Sequence, residues 1–191
     1  PETFKRMKRP TNLVHAVQRL QEIRKYGFEE VASNFIIGMP GDTWNDILTT
    51  FEFADKMVNH DKLLDYALFS IATPLPGTEM FETAMNMNFI PKDFKPENFY
   101  GFGKGVINSE EWSGEELQVK RAMEWDRINF PASRPEHHKK LAKMLGITLD
   151  ELKIWRQETR KNSGVQVSSA DETDKEFDRV TTLPSLAQAT H

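Results

Sequence analysis

The apolar positions of residues 11–87 alternate between helical and strand spacing. Residues 11–26 carry an apolar side chain every three or four positions, which predicts an amphipathic helix that ends before Gly27. A short apolar run from Val31 to Ile37 then predicts a buried strand that leads into a Gly-x-Pro-Gly turn. A second amphipathic helix follows the turn, and either Asp42 or Thr43 is suited to cap it.

The next apolar run, from Leu64 to Ile71, predicts a second strand. It ends at the segment ATPLPGT, whose prolines and glycine interrupt both strand and helix, and a helix is expected from Thr78 to about Met87. Strands and helices that alternate at such short spacing indicate parallel βαβ units. Because two parallel strands leave their faces and edges open, the pattern predicts a piece of a larger α/β barrel or open sheet.

The pattern changes after Pro91. The segment Lys92–Ile107 is rich in Phe and Gly and is expected to form a loop with a short strand at its end. Three further helices are expected, at Ser113–Asn129, Pro135–Leu145 and Thr148–Lys161, the first and third with capping boxes. The polar composition after Asn162 predicts disorder. The expected division is a barrel portion, a connecting loop, a helical extension and a disordered tail, at residues 1–90, 91–112, 113–161 and 162–191.

Composition excludes several classes of protein. The chain has 191 residues, a formal charge of −4 and no cysteine, which rules out disulfides and any cysteine-ligated metal within it. The mild acidity gives no general footprint for nucleic acid, and no apolar run is long enough to span a membrane. The basic segment at the N-terminus lacks the apolar core of a signal peptide, so the chain is expected to be cytoplasmic.

Other local patterns favour structural roles over chemistry. The run GFGKG does not have the spacing of a phosphate-binding loop. His137 and His138 are adjacent and therefore diverge on a helix, which is a poor geometry for one shared metal. Because the helix that carries them is basic, we expect both to be solvent-exposed. The basic run from Lys5 to Pro10 is interpreted as a solvated surface. Three tryptophans are expected to pack the later helices together or onto the sheet, namely Trp112, Trp125 and Trp155.

Three segments in order carry a resemblance to a known family: FKRMKRPTN, NFIIGMPGDTWNDILTTFEFA and DYALFSIATPLPGTEMFETA, which begin at residues 4, 34 and 65. Together they resemble the second half of a radical S-adenosylmethionine enzyme core. The similarity is strongest to the cobalamin-binding and methylthiotransferase-like branches, and it covers roughly Pro1 to Ile90. The absence of a β-rich RNA-binding module after this region favours the cobalamin-type branch.

The resemblance implies an α/β fold, the C-terminal portion of a partial (β/α) TIM-like barrel followed by a helical extension. It implies S-adenosylmethionine and a four-iron four-sulfur cluster as cofactors, with cobalamin in one branch, and an electron donor and a small-molecule substrate as partners. The enzymes form a 5′-deoxyadenosyl radical or transfer a methyl group. Because this chain lacks the cluster cysteines, we expect it to be inactive without an N-terminal barrel half, in the same polypeptide or in a partner chain. The alternative is a non-catalytic α/β interaction module derived from such a barrel.

The resemblance also implies a set of cofactor-binding residues, with no catalytic or metal-ligating residue in this chain. Ile36 and Gly38 match the strand-end motif that borders the adenine, and Asn34 shares their strand parity. On the second strand Ser70 lies near the ligand end, and the backbone after it matches the segment that pairs with the adenine edge, at Ala72 and Thr73. Asp42 is interpreted as a helix cap rather than as a ribose ligand.

Overall fold

The computed structural model describes residues 12–91, 94–95 and 104–165. The basic run at Lys5–Pro10, the first glycines of GFGKG and the chain after Val165 lie outside this part. The first helix, α1, spans Leu13–Lys25, and Asn12 caps it by accepting a hydrogen bond from the backbone N–H of Val14 at 2.9 Å.

A parallel β–α–β unit follows α1. Strand β1 spans Ala32–Ile37, helix α2 spans Trp44–Asp55, and strand β2 spans Tyr66–Ile71. Helix α2 ends in a π-helical turn at Lys56–His60. The strands pair in parallel with Ala32 opposite Tyr66 and Ile37 opposite Ile71. The mixed α/β class and the parallel pairing predicted from the sequence are confirmed, with both strands shorter at their start than expected.

One face of the two-stranded sheet is packed against α2 through aromatic side chains. Phe35 and Phe69 are stacked at 5.6 Å between ring centroids, and Phe51 of α2 meets Phe69 edge-on at 4.9 Å. Phe53 contacts Phe35 in the same way at 6.3 Å. The opposite face carries the alternate residues of each strand and is largely uncovered, since Leu68 at its centre is 46% exposed.

Four more helices follow β2. Helix α3 spans Glu79–Asn86 and is capped by Thr78. The last three helices are α4, α5 and α6, at Gly114–Asn129, Pro135–Leu145 and Leu149–Asn162. Both predicted capping boxes are present, at Ser113 with Glu116 and at Thr148 with Glu151. The short strand expected near Ile107 is wrong: residues 104–109 have no regular structure, and the Asn108 N–H donates to the Phe89 carbonyl at 2.9 Å.

Helix α4 covers the outer edge of β2. The Asn129 side-chain oxygen accepts the Ala67 N–H at 2.8 Å, and its nitrogen donates to the Ala67 carbonyl at 2.9 Å. One amide side chain therefore makes the two hydrogen bonds that another strand would offer. Arg121 donates to the Phe69 carbonyl at 3.5 Å further along the same edge. Strand β2 is thus closed to further pairing on this side.

The outer edge of β1 is open in the part of the chain that the structure describes. The carbonyl oxygens of Val31 and Ile37 point to β2 and accept hydrogen bonds from it. Because the pairing groups of successive residues alternate in direction, those of residues 32, 34 and 36 point away from β2. No described strand pairs with this edge. The sheet can therefore be extended only on the β1 side.

The role of Asn129 predicts a clear effect on stability. Asn129→Ala leaves the N–H and C=O of Ala67 without partners at a fully buried position. We expect the free energy of unfolding to fall by roughly 2–4 kcal/mol, measured by urea denaturation. Asn86→Ala is the matched control, because Asn86 also ends a helix but is exposed. Equal losses in the two variants would show that the edge contact contributes nothing particular.

Two further contacts fix α4. Gly105 and Gly114 cross so closely that a Cβ at Gly105 would lie 2.1 Å from the Gly114 carbonyl oxygen. Near the other end of α4, the fully buried carboxylate of Asp126 receives hydrogen bonds from Arg156 and Arg160 of α6. Trp125 packs edge-on against Trp155 at 5.2 Å, as expected of the tryptophans. These contacts bind the later helices to the sheet through α4.

Candidate functional site at the carboxyl ends of the strands

The turn after β1 is closed by its own backbone and by Asp42. Gly38 and Gly41 have φ angles of 72° and 84°, which glycine adopts without the steric cost of a side chain. The Asp42 carboxylate accepts the Met39 N–H at 2.8 Å, and the Asp42 N–H donates to the Met39 carbonyl at 2.9 Å. Asp42 therefore shapes the turn, while Thr43 is the N-cap of α2. Of the two cap residues that the sequence allowed, Thr43 is the one used.

Gly38 is required by packing inside the protein. A Cβ on this residue would lie 2.3 Å from the Leu117 side chain and 3.4 Å from the Trp112 ring. Trp112 is buried, and its indole N–H donates to the Asp42 carbonyl at 2.9 Å. The start of α4 thus packs directly onto the turn. The interpretation of Gly38 as a neighbour of a cofactor stays a prediction.

The uncovered face of the sheet brings together two of the predicted site residues. The Ser70 hydroxyl donates to the Asn34 side-chain oxygen at 3.1 Å, across the β1–β2 pair. This bond leaves the Asn34 amide nitrogen free to donate toward the open side, because no other partner is found for it among the described residues. Ile36 and Leu68 flank the pair and are 37% and 46% exposed. The face therefore combines an apolar surface with one polar pair.

The backbone after β2 continues along the sheet for one more residue. The Ala72 N–H donates to the Ile37 carbonyl at 2.8 Å, which leaves the Ala72 carbonyl unused by this pairing. The Ala72 side chain is buried. Thr73 is half-buried, and its hydroxyl donates to the Ile71 carbonyl at 3.3 Å. Ala72 and Thr73 thus lie beside the Gly38 turn. Their role toward a cofactor stays a prediction.

Tyr66 shares strand parity with Leu68 and Ser70. Unlike them, it is buried, in contact with Trp125 of α4. The indole N–H of Trp125 donates to its hydroxyl oxygen at 2.6 Å. Burial raises the pKa of Tyr66 to about 12, although the bond from Trp125 opposes the rise. Tyr66 is therefore neutral near pH 7, and its hydroxyl fixes the indole of Trp125.

Two residues at this end were not found from the sequence. Leu68 is an exposed apolar residue between Tyr66 and Ser70, and its strand parity was available as a signal. Leu117, which fills the space at Gly38, lies far along the chain. No local pattern indicates that contact, because it depends on how α4 docks.

The described residues contain no group of three or more His, Asp or Glu side chains placed to hold a metal ion. The predicted exposure of the histidine pair is wrong. His137 is buried, and His138 is half-buried, with its Nε2 3.1 Å from the Pro131 carbonyl and its ring edge-on to Phe130. The inward face of α5 includes both positions. Within the described ranges, no helix has the length and apolar character needed to cross a membrane.

Comparison with known proteins gives one partial likeness. No protein-family model matches the chain. An uncharacterized methyltransferase from Pyrococcus horikoshii is 36% identical over 75 residues. The match covers 39% of this chain and 15% of that protein, so the chain spans well under a fifth of the relative's length in the matched region.

Proposed function

We propose that this chain is the C-terminal portion of the barrel of a radical S-adenosylmethionine enzyme that transfers a methyl group. In this arrangement β1 and β2 are the last two strands of the barrel, and their open face lines the side of the cofactor pocket that holds the adenine. The missing strands come from an N-terminal half, in the same polypeptide or in a partner chain.

The asymmetry of the two sheet edges carries this proposal. Asn129 and Arg121 occupy the hydrogen-bonding groups of β2's outer edge, whereas β1 offers its N–H and C=O groups without a described neighbour. An exposed strand edge of this kind is a site for pairing. This asymmetry is expected of the C-terminal part of a partial barrel. The last strand has no further strand to pair with, whereas the first strand of that part pairs with the strand before it.

The open face suits an adenine-bearing ligand. A purine ring is bound by apolar side chains together with a few placed hydrogen-bonding groups. Ile36 and Leu68 provide exposed apolar surface, and the amide nitrogen of Asn34 provides a donor. S-adenosylmethionine, when bound, supplies the methyl group or the 5′-deoxyadenosyl radical. The residues of this chain would orient its adenine and shield it from water.

The chain itself contributes nothing to the iron–sulfur cluster. Thiolates hold such clusters, and the sequence has no cysteine. The thiolate ligands of the cluster in the proposed enzyme therefore belong to its other half. The assignment of methyl transfer rests on the likeness to the uncharacterized methyltransferase.

The test uses the complete in-frame gene product. The protein is expressed anaerobically, reconstituted with iron and sulfide, reduced, and supplied with S-adenosylmethionine. Mass spectrometry then detects 5′-deoxyadenosine or S-adenosylhomocysteine. We expect Leu68→Asp to lower cofactor binding, measured by equilibrium dialysis, at least about tenfold, because it places a charge on the apolar wall. Leu149→Asp is the matched control, since Leu149 is a similarly exposed leucine on α6.

Two results would contradict the proposal. One is a cluster-loaded, complete protein that neither binds S-adenosylmethionine nor forms either product. The other is an equal loss of cofactor binding in Leu68→Asp and Leu149→Asp, with both variants folded by circular dichroism. In either case the chain is better studied as the non-catalytic interaction module.

A further inference from the structure

A pocket lies beside the start of β2, at the end of the sheet opposite the Gly38 turn. Its volume is about 550 Å³, and α1, the segment before β2 and the first turn of α5 surround it. The lining includes four cations and one buried carboxylate, and the residues that matter for its chemistry are Arg24, Lys62, Asp65, Arg134, His137 and Lys140. It is independent of the proposed function and shares no residue with the open sheet face.

The one buried carboxylate is fully used within the protein. Asp65 accepts the Val31 N–H at 2.9 Å and pairs with Arg24 at 2.8 Å and with Lys140. Burial alone would raise the pKa of Asp65, but Lys140, the Val31 N–H and Arg24 together lower it below its ordinary value. Asp65 is therefore ionised near pH 7. It offsets Arg24 and Lys140, and no other charge in the pocket.

The remaining two cations have no carboxylate partner among the described residues. Arg134 donates to neutral oxygens, the Val58 carbonyl at 3.1 Å and the Asn59 side chain at 2.8 Å. Lys62 is exposed, with a φ of 53°, and no described group pairs with it. Glu136, the second acid of the lining, pairs with Lys139 at 2.9 Å, so the lining holds four cations and two carboxylates. The pocket thus carries an excess of positive charge.

A buried imidazole lies at the same place, in the first turn of α5. The backbone there offers little to a ligand, because Pro135 has no N–H and the His137 N–H donates to the Arg134 carbonyl at 2.9 Å. His137 lines the pocket, is only 6% exposed, and its Nε2 has no hydrogen-bond partner. Burial and then Arg134 lower the pKa of His137 to about 4, so the ring is neutral near pH 7 and one nitrogen carries a proton. A buried imidazole nitrogen without a partner calls for a ligand or a water.

We infer that this pocket binds the phosphate group of a small phosphorylated molecule. Two cations without a carboxylate partner and a buried imidazole nitrogen without a hydrogen-bond partner, all lining one pocket, favour an anion with several acceptor oxygens. The pocket has room for more than a phosphate ion, which favours a phosphate monoester over the free ion.

Calorimetric titration of the 191-residue chain tests this inference. The probes are glycerol 3-phosphate and, separately, inorganic phosphate, with glycerol and with sodium chloride at matched ionic strength as blanks. We expect saturable binding of the phosphate-bearing probes alone. Lys62→Glu is expected to weaken it at least about tenfold, because the unpaired cation becomes a repelling anion. Lys143→Glu makes the same charge change on an exposed residue of α5 outside the pocket and is expected to change affinity less than about twofold.

The two probes distinguish the source of the phosphate. Tighter binding of glycerol 3-phosphate assigns the site to an organic phosphate, and equal binding assigns it to the phosphate group alone; both support the inference. His137→Phe provides a second variant, which keeps the ring's bulk but removes its nitrogens and is also expected to weaken binding. Absence of saturation above the sodium chloride blank, or equal losses in Lys62→Glu and Lys143→Glu, would overturn it.

Discussion

Asp126→Asn is expected to destabilise the protein by about 3–5 kcal/mol. Among the described residues, Asp126 is the only acid paired with the buried guanidinium of Arg160 and the half-buried guanidinium of Arg156. Arg156 donates to Asp126 at 2.5 and 3.0 Å, and Arg160 donates to it at 2.7 Å. Arg160 is 4% exposed, so it cannot turn to water without moving α6. Urea denaturation monitored by tryptophan fluorescence measures the loss, since Trp125 and Trp155 pack in the same helix pair.

A surface pair gives the control for this prediction. Asp150 lies 3.6 Å from Lys153, and both side chains are mostly exposed, so Asp150→Asn should change stability by less than about 1 kcal/mol. A triple variant that replaces Asp126, Arg156 and Arg160 with Leu or Met removes every member of the network. It should recover much of the lost stability, because no buried charge is then left unpaired. A loss below about 1 kcal/mol in Asp126→Asn would mean that water reaches the arginines.

The network also explains why α6 belongs to the structural unit that carries the site. Asp126 lies on α4, which presses Leu117 against Gly38 at its first turns and closes the edge of β2 with Asn129 at its last residue. Loss of the contacts between α4 and α6 would therefore loosen the cover of the sheet. The helical extension acts as the support of the two strands.

Local signals in the sequence predicted most of the regular structure. The capping boxes at Ser113 and Thr148 and the glycine after α5 act within a few residues, so the helix ends could be located from the sequence alone. The parallel pairing followed from the short spacing of strand and helix. Most of these elements were found with small errors at their ends.

Contacts between distant residues could not be predicted in the same way. In the sequence, nothing distinguishes Asn129 from other polar residues at helix ends. Only the docking of α4 places its amide against Ala67. His137 was expected to be exposed because α5 is basic, yet it lies on the inward side of that helix. The charges of neighbouring residues indicate the character of a helix, but its rotation about its axis decides which of them are buried.

At the candidate site the sequence indicated residue types but not their partners. Asn34 was predicted from strand parity and Ser70 from its place near the ligand end of its strand. The register of β1 and β2 is what joins them by a hydrogen bond. Gly38 was predicted from its motif, whereas the close approach at its α-carbon is made by Leu117.

Gly105 and Gly114 are both needed because their backbones cross in close contact. The run GFGKG was excluded as a phosphate loop, and its last glycine is needed where the chain crosses the start of α4. A Cβ on Gly114 would lie 2.4 Å from the Gly105 carbonyl oxygen and 2.6 Å from its carbon. Backbone atoms on both sides leave no flexible side chain to move away.

Gly114→Ala is therefore expected to lower the free energy of unfolding by roughly 3 kcal/mol or more, although alanine is normally the better residue in a helix. Gly105→Ala should have a similar effect, since its Cβ would meet the Gly114 carbonyl at 2.1 Å. Gly146→Ala is the control: nothing lies within 4 Å of its Cβ position, and its φ of 68° alone should cost about 1–2 kcal/mol.

Tryptophan fluorescence shows whether the Gly114→Ala substitution disturbs only the neighbourhood of the Gly105–Gly114 crossing or also the packing of α6. Trp112 lies two residues before Gly114 and donates its indole N–H to Asp42, so a displaced crossing should move it out of its buried position and red-shift its emission. Trp155, on α6, packs against Trp125 and should be little affected. If Gly114→Ala were as stable as the native chain, α4 would dock less tightly than described. The contacts of Leu117 and Trp112 with the turn after β1 would then not depend on the crossing of Gly105 and Gly114.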